Sequence, residues 1–364
     1  MSLFIVYTDN TIVNVALPSI RHDFHTSLSG LQWIVDAYTL VLASFFTLAG
    51  STADRLGRRR VFMIGLSLFA LGSLACSLAP SLTWLVIFRM LQAVGGSMLN
   101  PVAMSIIRNT FTDSRERARA IGIWGTVTGI ALALGPILGG LLVQSVGWRS
   151  IFWVNIPVGV LAVVLAKAFI PESKAETPRR LDPLGQLLVL GVLACVTYAI
   201  IEGPNHGWRS TQILSLFGVA LLGLGALIRY ELRRHEALIE VRFFKSAPFS
   251  GATLIAVASF FAFGGFLFLN TLYLQDVRGL SALGAGLDTL PMAGAIALTS
   301  SLSGRMVARF GARPSLAVAG ITMAIGCYLL TSLSTTTSFD RLFWAYVIFG
   351  VGFGAVNAPI TNTA

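Results

Sequence analysis

The sequence predicts an all-α polytopic membrane protein with about twelve membrane-spanning helices. Of its 364 residues, 55% are hydrophobic and only 12% are charged, and the mean hydropathy is +0.77. Soluble domains carry about 25% charged residues, so a water-soluble chain of this composition would expose much of its apolar material. Twelve spans of about 20 residues would occupy most of the chain. The composition therefore excludes a soluble enzyme, a disordered chain and a disulfide scaffold.

Apolar runs divide the chain into twelve candidate spans that are joined by short connections. The first run is a few residues short, and Ala364 closes the last run without a polar tail, so we expect a truncated chain. In chain order the spans cover residues 1–20, 31–50, 61–80, 82–107, 118–142, 150–170, 184–201, 212–230, 249–274, 281–303, 315–333 and 342–361.

The basic residues alternate along the chain, and their distribution predicts the orientation of the spans. Twenty of the 26 lysines and arginines follow even-numbered spans, five follow odd-numbered spans, and Arg89 lies inside span 4. The positive-inside rule then predicts a cytoplasmic N-terminus in the inner (plasma) membrane. A nucleic-acid-binding protein would gather this charge on one face, so we expect no nucleic-acid partner. The twenty residues are Arg55, Arg58, Arg59, Arg60, Arg108, Arg115, Arg117, Arg119, Lys167, Lys174, Arg179, Arg180, Arg229, Arg233, Arg234, Arg242, Lys245, Arg305, Arg309 and Arg313.

Two sequence echoes indicate an internal repeat. A shift of 254 residues brings residues 50–60 onto residues 304–314, with Arg55 on Arg309 and Arg59 on Arg313. A second echo relates residues 95–101 to residues 352–359. Because the two echoes occur in the same order, two halves of common ancestry explain them better than chance recurrence of Gly and Arg at membrane edges.

Several motifs in the first half resemble a known family of membrane proteins. Residues 50–60, GSTADRLGRRR, are similar to the signature G-x-L-A-D-R-x-G-R-R between helices 2 and 3 of the major facilitator superfamily, with Thr52 where leucine is usual. The second copy follows span 10 here rather than helix 8, so spans 7 and 8 read as two extra helices. Residues 9–18, 33–40 and 135–140 resemble the helix 1, helix 2 and antiporter motifs of the fourteen-helix drug:proton antiporter family, the EmrB/QacA type.

This resemblance implies a major facilitator fold with two six-helix bundles and two extra central helices. Residues 1–170 would form the N-terminal bundle, residues 171–248 the extra helices with their linkers, and residues 249–364 an incomplete C-terminal bundle. The implied function is proton-coupled antiport that exports drugs or other amphiphilic or cationic small molecules. The implied partners are the small molecule, protons and the lipid bilayer, and we expect a monomer.

Two alternatives stay open: a proton-coupled importer of a metabolite, and a non-transporting membrane sensor with a transporter fold. The chain has no phosphate-binding loop of the G-x-x-x-x-G-K-[ST] type, which disfavours transport driven by ATP. Its four histidines are scattered rather than clustered at one interface as in membrane enzymes. We therefore expect a secondary transporter rather than an enzyme, with no cofactor and no metal site.

Four charged residues inside spans are the candidates for coupling transport to protons or substrate: Asp9, Asp36, Asp288 and Arg89. An ionised carboxylate near the bilayer centre costs about 2.5–3.5 kcal/mol on insertion scales, so it tends to face a cavity or a partner. Our hypothesis is that Asp36 and Asp9 carry the proton or accept a cationic substrate and that Arg89 tunes them. The alternative is that each residue is a structural hydrogen-bond partner between helices.

The stretch after span 2 is a candidate gating loop, formed by Gly50, Asp54, Arg55, Gly57, Arg58 and Arg59. The two glycines would permit a tight turn, and Asp54 would pair with a nearby arginine or cap a helix. Since Ala308 takes the place of Asp54 in the second copy, the gate would be asymmetric. The alternative is that Arg58–Arg60 only fix the topology against anionic lipid.

Span 5 contains the candidate antiporter motif, whose members are Gly135, Pro136, Gly139 and Gly140. Glycines three and four residues apart share one helix face and let another helix approach closely, and Pro136 removes a backbone hydrogen bond inside the helix. Plain helix packing would also explain the glycines. The resemblance links this pattern to export by antiport.

Overall fold

The structure, a computed structural model, describes residues 2–176, 181–234, 238 and 240–363, and within them the chain is helical without a β-strand. Arg179 and Arg180, which belong to the predicted basic set, lie outside the described residues, as does the side chain of Arg115. The α-helices are α1 (Ser2–Phe24), α2 (Leu28–Leu56), α3 (Arg58–Ser77), α4 (Leu82–Thr110), α5 (Ser114–Ser145), α6 (Ser150–Trp153), α7 (Asn155–Phe169), α8 (Pro183–His206), α9 (Thr211–Glu231), α10 (Ala247–Leu272), α11 (Ala282–Asp288), α12 (Leu290–Phe310), α13 (Ala312–Thr331) and α14 (Phe339–Thr363).

These helices follow the twelve predicted spans, which confirms the all-α membrane architecture. Span 6 is divided into α6 and α7, and span 10 into α11 and α12. When each of these pairs is counted as one span, ten of the described helices are long and apolar enough to cross a membrane. Helices α1 and α5 are not among the ten, although the apolar part of α5 runs over Ile130–Ser145.

The prediction of a loop at residues 50–60 is wrong, because most of this stretch is helical. Helix α2 continues to Leu56 and α3 begins at Arg58, so Gly57 alone links them with a φ of +114°. Gly50, which we expected in a turn, lies inside α2. A helix satisfies its own backbone hydrogen bonds, so it continues past the apolar stretch until a residue with positive φ redirects the chain.

The second copy of the repeat has the same geometry. Gly311, the counterpart of Gly57 at a distance of 254 residues, alone separates α12 from α13 and has a φ of +80°. The expected loop at residues 304–314 is therefore also helical apart from this glycine. The similar segments 50–60 and 304–314 thus form the same kind of turn, in which a single glycine joins two helices.

The chain folds into two compact units, and each has its own apolar core. Unit 1 contains Met1–Asp9, Ile20–Trp124 and Arg149–Val241, and unit 2 contains Asn10–Ser19, Gly125–Trp148 and Arg242–Ala364. The core of unit 1 lies among α2, α3, α4 and α7, and that of unit 2 among α10, α12, α13 and α14. The division of the chain at residues 170 and 248 stays a prediction.

Helices α8 and α9, which correspond to the two extra spans, form a pair within unit 1, and α8 packs on α2. Three hydrogen bonds tie α8 to that helix, one of them from Asn205 Nδ2 to Ser29 Oγ at 3.1 Å. Gln186 donates its side-chain amide to the carbonyl oxygen of Ser44, and Trp33 Nε1 donates to Glu202 Oε1 at 2.9 Å. The Trp33 ring also lies 5.8 Å from that of Tyr198, measured between centroids.

Candidate functional site

A charged pair lies buried at the centre of unit 1. Asp9 of α1 has no exposed surface, and Arg89 of α4 is 1% exposed. Arg89 Nη1 donates to Asp9 Oδ2 at 2.5 Å. The sequence put both residues inside spans, and the structure brings these two together. Burial removes both charges from water, so each depends on the other for compensation.

Two side-chain amides complete the hydrogen bonding of the Asp9 carboxylate. Gln92 Nε2 and Asn155 Nδ2 each donate to Asp9 Oδ1 at 2.8 Å. Gln92 also accepts from Arg89 Nη1 at 2.7 Å through its amide oxygen, so it bridges the pair. Asn155 donates a second bond to Ser73 Oγ at 3.0 Å. Charge-assisted hydrogen bonds of this kind stabilise an ionised carboxylate in an apolar setting.

The arginine is held from its other side as well. Arg89 Cζ lies 4.1 Å from the centroid of the Tyr38 ring, which is a cation–π contact. Its Nε donates to the carbonyl oxygen of Ile34 at 3.4 Å. Both contacts come from α2, so α1, α2, α4 and α7 all contribute to the site.

Local sequence explains how α4 presents these groups. Arg89 and Gln92 are three residues apart and therefore lie on the same face of the helix. Helix α3 packs closely against this part of α4, since a β-carbon at Gly72 would lie 2.6 Å from Gln92 Cα. The absence of a side chain at Gly72 thus lets α3 lie directly against the backbone of Gln92.

The other two candidate carboxylates lie apart from the buried pair. Asp36 is half-buried in α2 and has no hydrogen bond or ion pair with any residue that the structure describes. Asp288 is half-buried at the last position of α11, in unit 2. Their roles in coupling stay predictions.

The candidate gating residues form a compact cluster of charges around Gly57. Asp54 Oδ1 accepts from Arg58 Nη2 at 3.1 Å, across one helical turn and the glycine. Arg59 Nη1 donates to the carbonyl oxygen of Ile170 at 3.2 Å. Arg55 lies in the last turn of α2. The predicted pairing of Asp54 with a neighbouring arginine is present, whereas its role as a gate stays a prediction.

Glu172 is the central acceptor of this cluster, and the sequence analysis missed it. Its carboxylate accepts from the backbone N–H of Arg59 at 3.1 Å and of Arg60 at 3.3 Å, which caps the first turn of α3. Its Oε2 also lies 3.9 Å from Arg59 Nε and 3.7 Å from Arg60 Nε. A β-carbon at Gly57 would lie 2.6 Å from Glu172 Oε1, so any larger residue at this position would require the carboxylate to shift.

The antiporter motif packs α5 against neighbouring helices of unit 2. A β-carbon at Gly140 would lie 2.5 Å from the carbonyl oxygen of Ala282, and one at Gly139 would lie 2.8 Å from Ile12 Cγ1. Pro136 lies inside α5, and its carbonyl oxygen would be 2.4 Å from a β-carbon at Gly286. Gly135 is buried in the same helix. The motif therefore produces backbone-to-backbone contact with α11.

Two proteins of similar sequence are named for resistance to drugs. The chain is 38% identical over 364 residues to the multidrug resistance protein Stp of Mycobacterium tuberculosis, covering 100% of this chain and 68% of that protein. It is 35% identical over 363 residues to the tetracenomycin C resistance and export protein of Streptomyces glaucescens, covering 100% of this chain and 67% of that protein.

A solved structure has the same fold as this chain, and a family model matches its full length. The inward-facing, unoccupied structure of a bacterial homologue of the human lysosomal transporter Spinster matches with a TM-score of 0.66 at 20% identity, covering 100% of this chain and 73% of that one. The family described as Major Facilitator Superfamily matches residues 1–364. The chain belongs to the major facilitator superfamily of membrane transporters.

Proposed function

We propose that this protein is a proton-coupled secondary transporter that exports drugs or other amphiphilic, cationic small molecules by antiport. The drug-resistance names of its relatives support the class of cargo. The motifs at residues 9–18, 33–40 and 135–140 support the fourteen-helix subtype. The single observation that carries proton coupling is the buried Asp9–Arg89 pair.

Protonation of Asp9 would change the energy of this site sharply. With Asp9 ionised, three donors and one guanidinium charge are matched. A proton on the carboxylate removes the charge that compensates Arg89, and an unpaired charge in an apolar interior is strongly destabilising. The arginine must then find another partner or move toward water. A proton at Asp9 therefore drives a rearrangement of α1 relative to α4, which is the link that antiport requires.

A cationic substrate would have the opposite effect from a proton on the Asp9 carboxylate. A positive charge that approaches Asp9 favours its ionised form and so favours release of the proton. Proton and cation thus compete for one carboxylate, which produces exchange rather than cotransport. Asp36, half-buried and without an ion pair among the described residues, is the second carboxylate that a cation could meet.

We infer that the protein lies in the plasma membrane as a monomer with its N-terminus in the cytoplasm. The asymmetric distribution of basic residues supports this orientation. The charge cluster around Gly57 would then lie on the cytoplasmic side. There the Asp54–Arg58 pair and the Glu172 cap would hold α2, α3 and the segment after α7 together in one conformation of the transport cycle.

The proposal is tested with the purified protein in liposomes that contain a pH-sensitive dye. Addition of a lipophilic cation such as tetraphenylphosphonium should release protons, and an imposed pH gradient should drive its accumulation. Asp9→Asn keeps the shape of the side chain but removes its titration, so we expect proton release to fall at least tenfold. Glu176→Gln removes an exposed carboxylate that lies between α7 and α8, outside the proposed coupling residues, so it is the matched control.

The direction of the coupled flux separates export from import. Vesicles of inverted orientation with an acidic interior should take up the cation if the protein is an antiporter. Uptake only when the proton and the cargo move the same way would establish an importer. Undiminished coupled transport by Asp9→Asn would rule out the proton role of Asp9.

A further inference from the structure

Helix α14 contains a proline near its end that removes one backbone donor. In an α-helix the N–H of residue i bonds to the carbonyl oxygen of residue i−4, and proline has no N–H. Pro359 lies inside α14, so the carbonyl oxygen of Ala355 loses its regular helix partner. Ala355 has no exposed surface, so bulk water does not reach it. A buried carbonyl without a donor is costly, and nearly all such groups in native proteins are hydrogen-bonded.

Two serine hydroxyls from neighbouring helices contact this carbonyl. Ser303 of α12 and Ser315 of α13 each place Oγ 2.9 Å from the carbonyl oxygen of Ala355. The two Oγ atoms are 2.7 Å apart, and the residues are 1% and 0% exposed. Three helices of unit 2 therefore meet in one hydrogen-bonded group. We call it the serine cluster, and its members are Ser303, Ser315 and the carbonyl of Ala355.

The serine cluster has more short contacts than hydrogens to fill them. Each hydroxyl carries one hydrogen and can also accept a bond, so two hydrogens serve three contacts between oxygens. Either serine alone can therefore supply the carbonyl of Ala355 with a donor. We expect the loss of one serine to be tolerated, whereas the loss of both leaves the carbonyl without a donor.

The backbone of α14 lies close enough to both helices for these short side chains to reach it. A β-carbon at Gly354 would be 2.7 Å from the carbonyl oxygen of Ile296 in α12. One at Gly352 would be 2.7 Å from the backbone nitrogen of Met323 in α13. Because the two glycines bring the backbones together on both sides, a hydroxyl that projects one bond beyond its β-carbon can reach the carbonyl.

A comparable proline in the predicted repeat has no such cluster among the described residues. Pro101 of α4 removes the N–H that would bond to the carbonyl oxygen of Ser97. No side chain that the structure describes donates to that oxygen, and the hydroxyl of Ser97 bonds to the carbonyl oxygen of Val94 at 2.8 Å. The arrangement at α14 is therefore not one that every proline within a helix of this chain produces.

We propose that Ser303 and Ser315 replace the hydrogen bond that Pro359 removes and so fasten the last turns of α14 to α12 and α13. The three helices then move as one body, and α14 does not bend at its proline. This inference does not depend on the transported compound or on proton coupling, because it concerns only the joint among three helices.

The test measures hydrogen–deuterium exchange of residues 356–363 in the purified protein in lipid nanodiscs. Ser303→Ala/Ser315→Ala leaves the carbonyl of Ala355 without a donor, so we expect exchange in this segment to rise about tenfold. Each single serine variant keeps one donor and should raise exchange by less than about threefold. Exchange of residues 340–350, in the first half of the same helix, should not change and reports that each variant is folded.

Ser300→Ala is the matched control. Its hydroxyl also reaches α14, where it bonds to the carbonyl oxygen of Gly354 at 3.3 Å. Position 358 still has a backbone N–H for that carbonyl, since the residue there is alanine. Exchange of residues 356–363 should therefore stay within about twofold of the unmodified protein.

A change at the proline separates replacement of the missing bond from ordinary packing. Pro359→Ala supplies a backbone N–H four residues after Ala355. In that background the double serine variant should raise exchange by less than about twofold, because the helix itself then provides the donor. An equal rise with and without Pro359 would overturn the proposal and indicate that the serines act by packing.

The serine variants also test the proposal without any change at Pro359. No rise in the double variant would overturn the replacement of the bond. A rise in the double variant that is only the product of the two single effects would contradict the shared donor, because either serine is expected to suffice.

Discussion

Arg89 and Tyr346 occupy equivalent positions in the predicted repeat, separated by the same 257 residues as Gly95 and Gly352. Each is fully buried, and each reaches the helix that begins its own half. Arg89 donates to Asp9 of α1, and the hydroxyl of Tyr346 donates to Asn270 of α10. The first pair is charged and the second is neutral. Only the first pair therefore contains a carboxylate.

The free energy of unfolding should reveal how strongly Asp9 and Arg89 depend on each other. Asp9→Asn leaves a buried guanidinium uncompensated, which we expect to cost about 3–5 kcal/mol. The double variant Asp9→Asn/Arg89→Gln should lose less than the sum of the two single variants, because it removes both charges. Denaturant unfolding in detergent, followed by tryptophan fluorescence, measures all three. Additive losses would contradict the pairing.

Tyr346→Phe provides the matched control in unit 2. It removes one hydrogen bond to Asn270, so the expected loss of stability is about 1 kcal/mol. Proton release for each transported cation should stay at the level of the unmodified protein. A loss of proton coupling in Tyr346→Phe would contradict the proposal that the Asp9–Arg89 pair carries the coupling.

Alanine at the two linking glycines should separate backbone strain from steric collision. Gly57 and Gly311 both have positive φ, so alanine at either position is strained by about 1–3 kcal/mol. Only at Gly57 would the new β-carbon also collide, because Glu172 Oε1 is 2.6 Å away, whereas no atom lies within 4 Å at Gly311. We expect Gly57→Ala to lower the melting temperature more than Gly311→Ala does. Equal shifts would mean that Glu172 moves aside without cost.

The cap that Glu172 provides for α3 should depend on its negative charge. Glu172→Gln keeps the oxygen that accepts from the backbone but removes the attraction of Arg59 and Arg60, so we expect a loss of about 1–2 kcal/mol. Glu176, exposed in the same segment and without a contact among the described residues, is the matched control. Thermal unfolding in detergent compares Glu172→Gln with Glu176→Gln. Identical melting temperatures for these two variants would refute the capping role.

The attachment of α8 to α2 should weaken when the Trp33–Glu202 hydrogen bond is removed. Trp33→Phe keeps an aromatic ring near Tyr198 but loses the N–H donor, so the expected cost is about 1–2 kcal/mol. Hydrogen–deuterium exchange should then increase in the second half of α8. In a Glu202→Gln background the same substitution should have a smaller effect. An exchange pattern that does not change would show that packing alone holds the helix.

Much of the fold follows from hydropathy, because a span must be long, apolar and internally hydrogen-bonded. The repeat also placed Gly57 and Gly311 correctly as counterparts. Helix ends were predicted poorly. Hydropathy reports where the apolar surface stops, whereas α2 continues in register as far as Leu56, and only the backbone of Gly57 ends it.

The candidate site was predictable only in part. Asp9 and Arg89 stand out as charges inside apolar spans, and Gln92 could have been added, since it shares a helix face with Arg89. Asn155 offers a weaker signal as a lone amide in an apolar run. Glu172 gives no signal in the sequence for its role as an acceptor. Its partners lie about 110 residues away, and a single sequence does not reveal which distant segments meet.

The three described hydrogen bonds that attach α8 to a helix outside the α8–α9 pair all end on α2, at Ser29, Trp33 and Ser44. Removal of the α8–α9 hairpin would therefore break these hydrogen bonds with α2. We expect a variant that lacks α8 and α9 to keep the contacts of α2 with α3 and α4, so the remaining helices of unit 1 should still assemble.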